Sequence, residues 1–173
     1  MPGYAATADK SLVDRIAKLE LMIRNMQKSG TPPTPLAKYA QLTLGQPIAG
    51  STDTIVQFPD LVYGNPAVTP GGTNNSYFTL GSGTWHILAS ARLVATGPLQ
   101  VDIATGATWS TANVIGGGSG GAFQSNAAAY LVVPPGSTQS VLVNAFQSGS
   151  PTTITTSFGQ VTEITIARFG PGF

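Results

Sequence analysis

The sequence predicts an all-β chain, an antiparallel β-sandwich preceded by a short N-terminal α-helix. Three observations lead there. From Tyr39 onward apolar residues recur with a period of two, most clearly in "TWHILASARLVA", which starts at Thr84. There Trp85, Ile87, Ala89, Ala91 and Leu93 alternate with His86, Leu88, Ser90, Arg92 and Val94, the pattern of a strand. Clusters of Gly, Pro, Ser and Asn cut the alternation into short runs, as turns do. The charges lie elsewhere: Lys10, Arg15, Lys18, Arg24, Lys28 and Lys38 all precede Tyr39, where one stretch has a helical period instead.

Residues 1–10 form an N-terminal arm without the apolar stretch of a signal peptide. Residues 11–28 read as a coiled-coil helix. Ser11 with Asp14 makes a capping box, and the run holds no Gly or Pro. Leu12, Ile16, Leu19, Ile23 and Met26 fall on the a and d positions of a heptad. Ile at a with Leu at d favours a dimer, whereas "RIAKLE" (Arg15 to Glu20) resembles a trimer-specifying pattern in which the Arg pairs with the Glu. The two signals leave the state open. A helix this short is marginal alone and needs chains already held together. Residues 29–38 make a Pro-rich linker, stiffened by Pro32, Pro33 and Pro35. Residues 39–173 are the β-sandwich head.

Within the head, "YAQLTL", "DTIVQF", "NSYFTL", "LQVDIA", "AAYLVV", "QSVLVNAF", "TTITTSF" and "EITIARF" read as further strands. "GNPAVTPGGTNN" and "GGGSGG" between them read as loops, the latter a flexible tip. The Thr84 strand is apolar on both faces, so it is expected to be central and covered on both sides.

Composition excludes several functions. Charged residues make up 9% of the chain against about 25% in an average domain. A net charge of +1 lacks the basic footprint of nucleic-acid binding. With no cysteine there is no disulfide framework and no thiolate zinc site. No run of about 18 apolar residues is present to insert in a membrane.

Catalytic constellations are missing too, and neither enzyme activity nor a cofactor is expected. His86, the single histidine, alternates with core positions and reads as a structural or interface residue. The head's acids are Asp53, Asp60, Asp102 and Glu163. Asp102 and Glu163 sit at polar strand positions and are expected to be solvated or paired with Arg92 and Arg168. Gly116, Gly118 and Gly121 formally give G-x-G-x-x-G, but no acid follows at the spacing a dinucleotide site needs.

"GSGTWHILASARLVATGP", "VVPPGSTQSVLVNAFQSG" and the closing "TEITIARFG" resemble the trimeric jelly-roll heads of complement and tumour necrosis factor type, over roughly residues 75 to 170. Gly83 and Trp85 match the opening of that family's long central strand, and Gly136 its turn before the "SVLV" strand. Its aromatic-rich ending is here reduced to Phe169. The resemblance implies a jelly roll and a homotrimer, with Leu12, Arg15, Ile16, Leu19, Glu20, Ile23 and Met26 as the oligomerisation residues. A coiled coil feeding a Gly/Ser/Thr-rich head also resembles minor virion proteins of tailed bacteriophages. That likeness implies a capsid decoration protein on the outer surface of the virion, anchored by its N-terminal segment and partnered by itself and the major capsid protein. The alternative is a tail-fibre or minor tail protein whose head binds host-surface carbohydrate, with Tyr63, Trp109 and Tyr130 as candidate glycan contacts. An extracellular signalling ligand of the same fold is a third reading, weakened by the missing signal peptide.

Overall fold

A computed structural model describes residues 34–42, 45–64, 67–93, 98–121, 123–154 and 161–169. All of them belong to one unit, Pro33–Phe173. The arm, the coiled-coil helix and the oligomerisation residues assigned to it lie outside the described residues.

The strands, in chain order, are β1 (Thr34–Gln41), β2 (Pro47–Ile48), β3 (Thr54–Ile55), β4 (Asp60–Tyr63), β5 (Val68–Gly71), β6 (Tyr77–Leu80) and β7 (Gly83–Arg92). They continue with β8 (Leu99–Thr105), β9 (Asn113–Gly120), β10 (Gln124–Val133), β11 (Gln139–Gln147), β12 (Thr152–Thr153) and β13 (Thr162–Phe169). A single 3-10 turn, Trp109–Thr111, links β8 to β9. One sheet has the order β10-β7-β13-β1-β4, the other β5-β6-β11-β8-β9 with β3 also on β11, and β12 pairs with β2 apart from both. Every pairing is antiparallel. From β6 to β8 the chain changes sheet at each connection, which makes the arrangement a jelly roll rather than two meanders.

The core lies between the sheets. Trp85, Ile87, Ala89 and Ala91 on β7 face Phe78, Leu80, Val101, Ile103, Val141 and Val143 from the opposite sheet, all fully or nearly fully buried. Each buried Leu, Ile, Val or Phe contributes about 1.5–3 kcal/mol relative to exposure. Trp85 also satisfies its polar atom, donating from Nε1 to the Gly81 carbonyl at 2.8 Å. The Arg168 guanidinium lies 5.6 Å from the Trp85 ring centroid and donates to the Ser82 carbonyl at 2.6 Å. Gly83 makes room for it: its φ is +142°, and a Cβ there would stand 2.6 Å from Arg168 Nε. A buried amide seam closes the head near β3. Gln46 Oε1 accepts from Gln41 Nε2 at 2.9 Å and from the Gln57 N–H at 2.9 Å.

Four expectations change. β1 begins at Thr34, so residues 34–38 belong to the head's first strand rather than to the linker. Its register shifts between Pro35 and Ala37, a bulge of the kind that admits proline in a strand. "VTPG" within "GNPAVTPGGTNN" is β5, hairpinned to β6 through a turn in which Gly72, Asn74 and Asn75 have positive φ.

"GGGSGG" is not a flexible loop: its first five residues are in β9, paired residue by residue with β8. The glycines have a packing reason. Side chains at Gly116, Gly118 and Gly120 would run into the backbone carbonyls of Ala128, Asn126 and Gln124 on β10. β9 thus closes the sandwich backbone to backbone, and Ser125 Oγ donates across the seam to the Gly118 carbonyl at 2.9 Å. A strand whose inward face lacks side chains carries no alternation to read.

Finally, β7 is central, between β10 and β13, but none of the described residues covers its outer face: Leu88 is 45% exposed.

Candidate self-association face

The outward positions of β10, β7 and β13 follow from register. Tyr130 pairs with His86 and His86 with Ala167; Ala128 pairs with Leu88 and Leu88 with Thr165; Val132 pairs with Thr84 and Thr84 with Phe169. Because side chains alternate across a sheet, these nine share the face away from the core.

Its centre is aromatic. The His86 and Tyr130 rings stack with centroids 4.5 Å apart and planes 11° from parallel. Phe169 leans on both at 6.0 Å. Tyr130 is 66% and Val132 67% exposed. Next to the stack, Leu88, Ser90, Asn126, Glu163 and Thr165 line a shallow depression. On this face Lys38 Nζ pairs with Glu163 Oε2 at 2.7 Å, joining β1 to β13. At the far edge, Leu61, Val62 and Tyr63 of β4 are exposed as well.

Such a surface favours contact with another surface over contact with water. Monomers seldom expose a contiguous apolar patch beyond a few hundred Å², and the patch centre is depleted of charge as interface cores are.

The three candidate glycan contacts are not brought together. Tyr130 is on β10 and Tyr63 on β4, at opposite edges of one sheet, about 19 Å apart at ordinary strand spacing. Trp109 is half-buried on the turn that follows β8 of the other sheet. Tyr130 instead keeps company with His86 and Phe169. The sequence has His86 as a structural or interface residue and Phe169 as the closing aromatic, and only the register pairs them.

Two acids also differ from expectation. Glu163 pairs with Lys38, not with an arginine. Asp102 is neither solvated nor paired with Arg92 or Arg168: it is 6% exposed and accepts from Gln100 Nε2 at 2.8 Å. Burial pushes its carboxyl above the usual carboxylate range, the Gln100 hydrogen bond pulls it back, and the nearby Asp53 charge raises it further. Asp60 opens β4 and accepts from the Leu42 N–H at 2.6 Å.

The architecture defines the class, a two-sheet antiparallel jelly roll with an apolar outer face. No family model matches the sequence, and no curated protein does. Among solved structures the chain is similar to the Eiger TNF of S. frugiperda, with a TM-score of 0.53 and 10% identity over 82% of this chain and 96% of that one. At that identity the likeness concerns the fold: the head is a TNF-like jelly-roll β-sandwich. Among the described residues no helix is long and apolar enough to cross a membrane.

Proposed function

We propose that this chain is a structural protein that works as a homotrimer: a capsid decoration on the outer surface of a tailed bacteriophage, anchored by its N-terminal segment with the β-head outward. The observation that carries the self-association is the uncovered stack of His86, Tyr130 and Phe169 with Leu88 and Val132 beside it. A face on one sheet of a single-sheet-pair head suits a ring-closing contact between copies. The virion reading draws its support from the near-neutral head and from the heptad seam Leu12, Ile16, Leu19, Ile23 and Met26, which would hold chains in parallel. Joined chains raise one another's effective concentration at a shared shell, and a protein that binds only the assembled shell stabilises it by mass action. The partners are then other copies of the chain and the major capsid protein. No catalytic role is assigned, because His86 is engaged by ring stacking.

The test is the solution mass of the full chain by light scattering, for the wild type and for Leu88→Lys. The expected wild-type mass is three times 17.7 kDa. Leu88→Lys, at a position already half in water, keeps the fold and lowers the mass towards that of one chain. A wild-type monomer, or a trimer indifferent to Leu88→Lys, removes this face from the assembly.

A second reading has one observation of its own. Tyr130 presents its ring to solvent while His86 backs it, a platform on which a sugar ring stacks. It fits a tail protein that binds host-surface carbohydrate. Saturable binding on a glycan array that is lost in Tyr130→Ala favours it over the decoration role, as does a copy number of a few per particle rather than hundreds.

A further inference from the structure

The self-association face carries at its centre a titratable group that the assembly reading leaves unused. His86 is the chain's single histidine, and imidazole is the side chain that ordinarily changes its charge between pH 5 and 8. Strand alternation turns it away from the core, half-buried, beside Tyr130 of β10 and Ala167 of β13. Its ring stacks on Tyr130 and lies 6.0 Å from Phe169. Among the described residues these rings are its partners, and the imidazole makes no hydrogen bond or ion pair.

The charges around it are distant or turned elsewhere. On β7 itself, Arg92 is the next charged residue of the outer face, about 20 Å along at ordinary strand rise. On β13, Glu163 stands opposite Ser90, about 13 Å along β7 from His86. Lys38 of β1 already engages it. Arg168, next to Ala167, points the other way, over Trp85 and onto the Ser82 carbonyl. β10 adds only the Tyr130 phenol, its other residues being uncharged. Among the described residues, then, no carboxylate stands by to balance a proton on His86.

In a separate chain that proton is tolerable, because the half-buried ring still meets water and the face of Tyr130 accepts a cation. A second copy seated on the stack removes the water, and the stack offers no negative charge in exchange. An imidazolium so placed is disfavoured, and the covered state holds His86 neutral. The assembly therefore binds fewer protons than its separate chains. By linkage, association weakens as pH falls, at most about tenfold per pH unit for each histidine covered.

We propose that His86 is a proton switch for self-association: copies joined through the aromatic face at neutral pH part on mild acidification. This rests on the self-association reading above and adds its regulation.

The test is sedimentation equilibrium of the full chain at pH 7.5 and pH 5.5, at one ionic strength, for wild type, His86→Phe and His86→Gln. Far-UV circular dichroism at both pH values follows the fold. The wild-type association constant is expected to fall on the order of tenfold or more at pH 5.5 and to recover at pH 7.5. His86→Phe keeps an aromatic stack without the proton and should associate equally at the two pH values. His86→Gln gives the same comparison if the larger ring crowds the neighbouring copy. A wild-type trimer equally tight at both pH values overturns the switch and leaves the assembly standing. Equal acid weakening in both variants overturns it too, moving the titration to another group. Strand signal lost in step with dissociation also overturns it, because acid then acts on the fold. A wild-type monomer at pH 7.5 overturns the self-association reading itself, and the switch with it.

Discussion

The sharpest check on the fold is Gly118→Ala set against Gly121→Ala. Both lie in "GGGSGG", and a loop reading makes them equivalent. In the structure they differ completely. A Cβ on Gly118 would overlap the Asn126 carbonyl on β10, whereas one on Gly121 meets nothing within 4 Å. The obstacle at Gly118 is backbone, so no rotamer change relieves it: β9 and β10 must part along the seam that closes the sandwich. Overpacking costs about 1–3 kcal/mol where side chains can yield, and here the cost belongs at the upper end, about 3 kcal/mol. At roughly 2–4 °C per kcal/mol for a unit of this size, Gly118→Ala should lower Tm by about 6–12 °C. Gly121→Ala only restricts the unfolded chain and should be neutral or stabilising by up to about 1 kcal/mol. Differential scanning calorimetry at one fixed protein concentration decides, since assembly makes Tm concentration-dependent. Equal effects at the two positions would refute the backbone-to-backbone seam.

Asp102 gives a pH dependence with a definite sign. Its folded-state pKa is raised, chiefly by burial, so between the unfolded value of about 3.9 and the folded value the native state holds the extra proton. Stability is complete below that window and falls as pH rises through it. Urea unfolding from pH 3 to 7 should show that fall in wild type and a smaller one in Asp102→Asn; parallel curves would sink the argument. The Lys38–Glu163 pair, about a third exposed, is worth about 0–1 kcal/mol to a lone chain. If a second copy covers it, Glu163→Gln strands a buried ammonium. The variant should then unfold nearly as wild type when dilute, yet assemble at least tenfold more weakly by sedimentation equilibrium. An unchanged association constant would put the pair outside the interface.

The sequence carries those parts of the fold where one strand face is apolar and the other is not. β7 and β13 are legible because Trp85 and Ile164 each sit between polar neighbours in a period of two, and β11 because Val141, Val143 and Ala145 keep that period although Leu142 between them is apolar as well. β9 is illegible because its inward positions are glycines, whose packing partner is a carbonyl rather than a side chain. β5 hides behind Pro70, which reads as a turn but stands opposite Phe78 in an edge strand, where proline is tolerated. The candidate site divides in the same way. That His86 faces away from the core follows from alternation, but its stack with Tyr130 depends on how β7 and β10 are slid together, and register is a long-range property. Asp102 misled for a related reason: a polar position on an outer face is solvated only if nothing lies over it, and Asp53 and Asn144 arrive from strands far away in sequence.

The two outer faces of the sandwich put the scarcity of charge to opposite uses. On the β10-β7-β13 face, the stack has no ion in it, and the pair beside it, Lys38 with Glu163, is internally neutral. A second copy that covers the stack alone meets no charge, the term that most often opposes association. On the β11-β8-β9 face, by contrast, Asp53 and Asp102 are left without a basic neighbour from their own strands. Approach of an identical face there would bring the exposed Asp53 carboxylates together, which disfavours self-association on that side. The sandwich is therefore two-sided: the aromatic stack offers a second copy a contact free of charge, and the acids on the other sheet favour water. Asp53→Asn with Asp102→Asn together should lift that restriction. The double variant is expected to form species larger than the assembled wild type in light scattering, and an unchanged mass distribution would show that the acids do not enforce the sidedness.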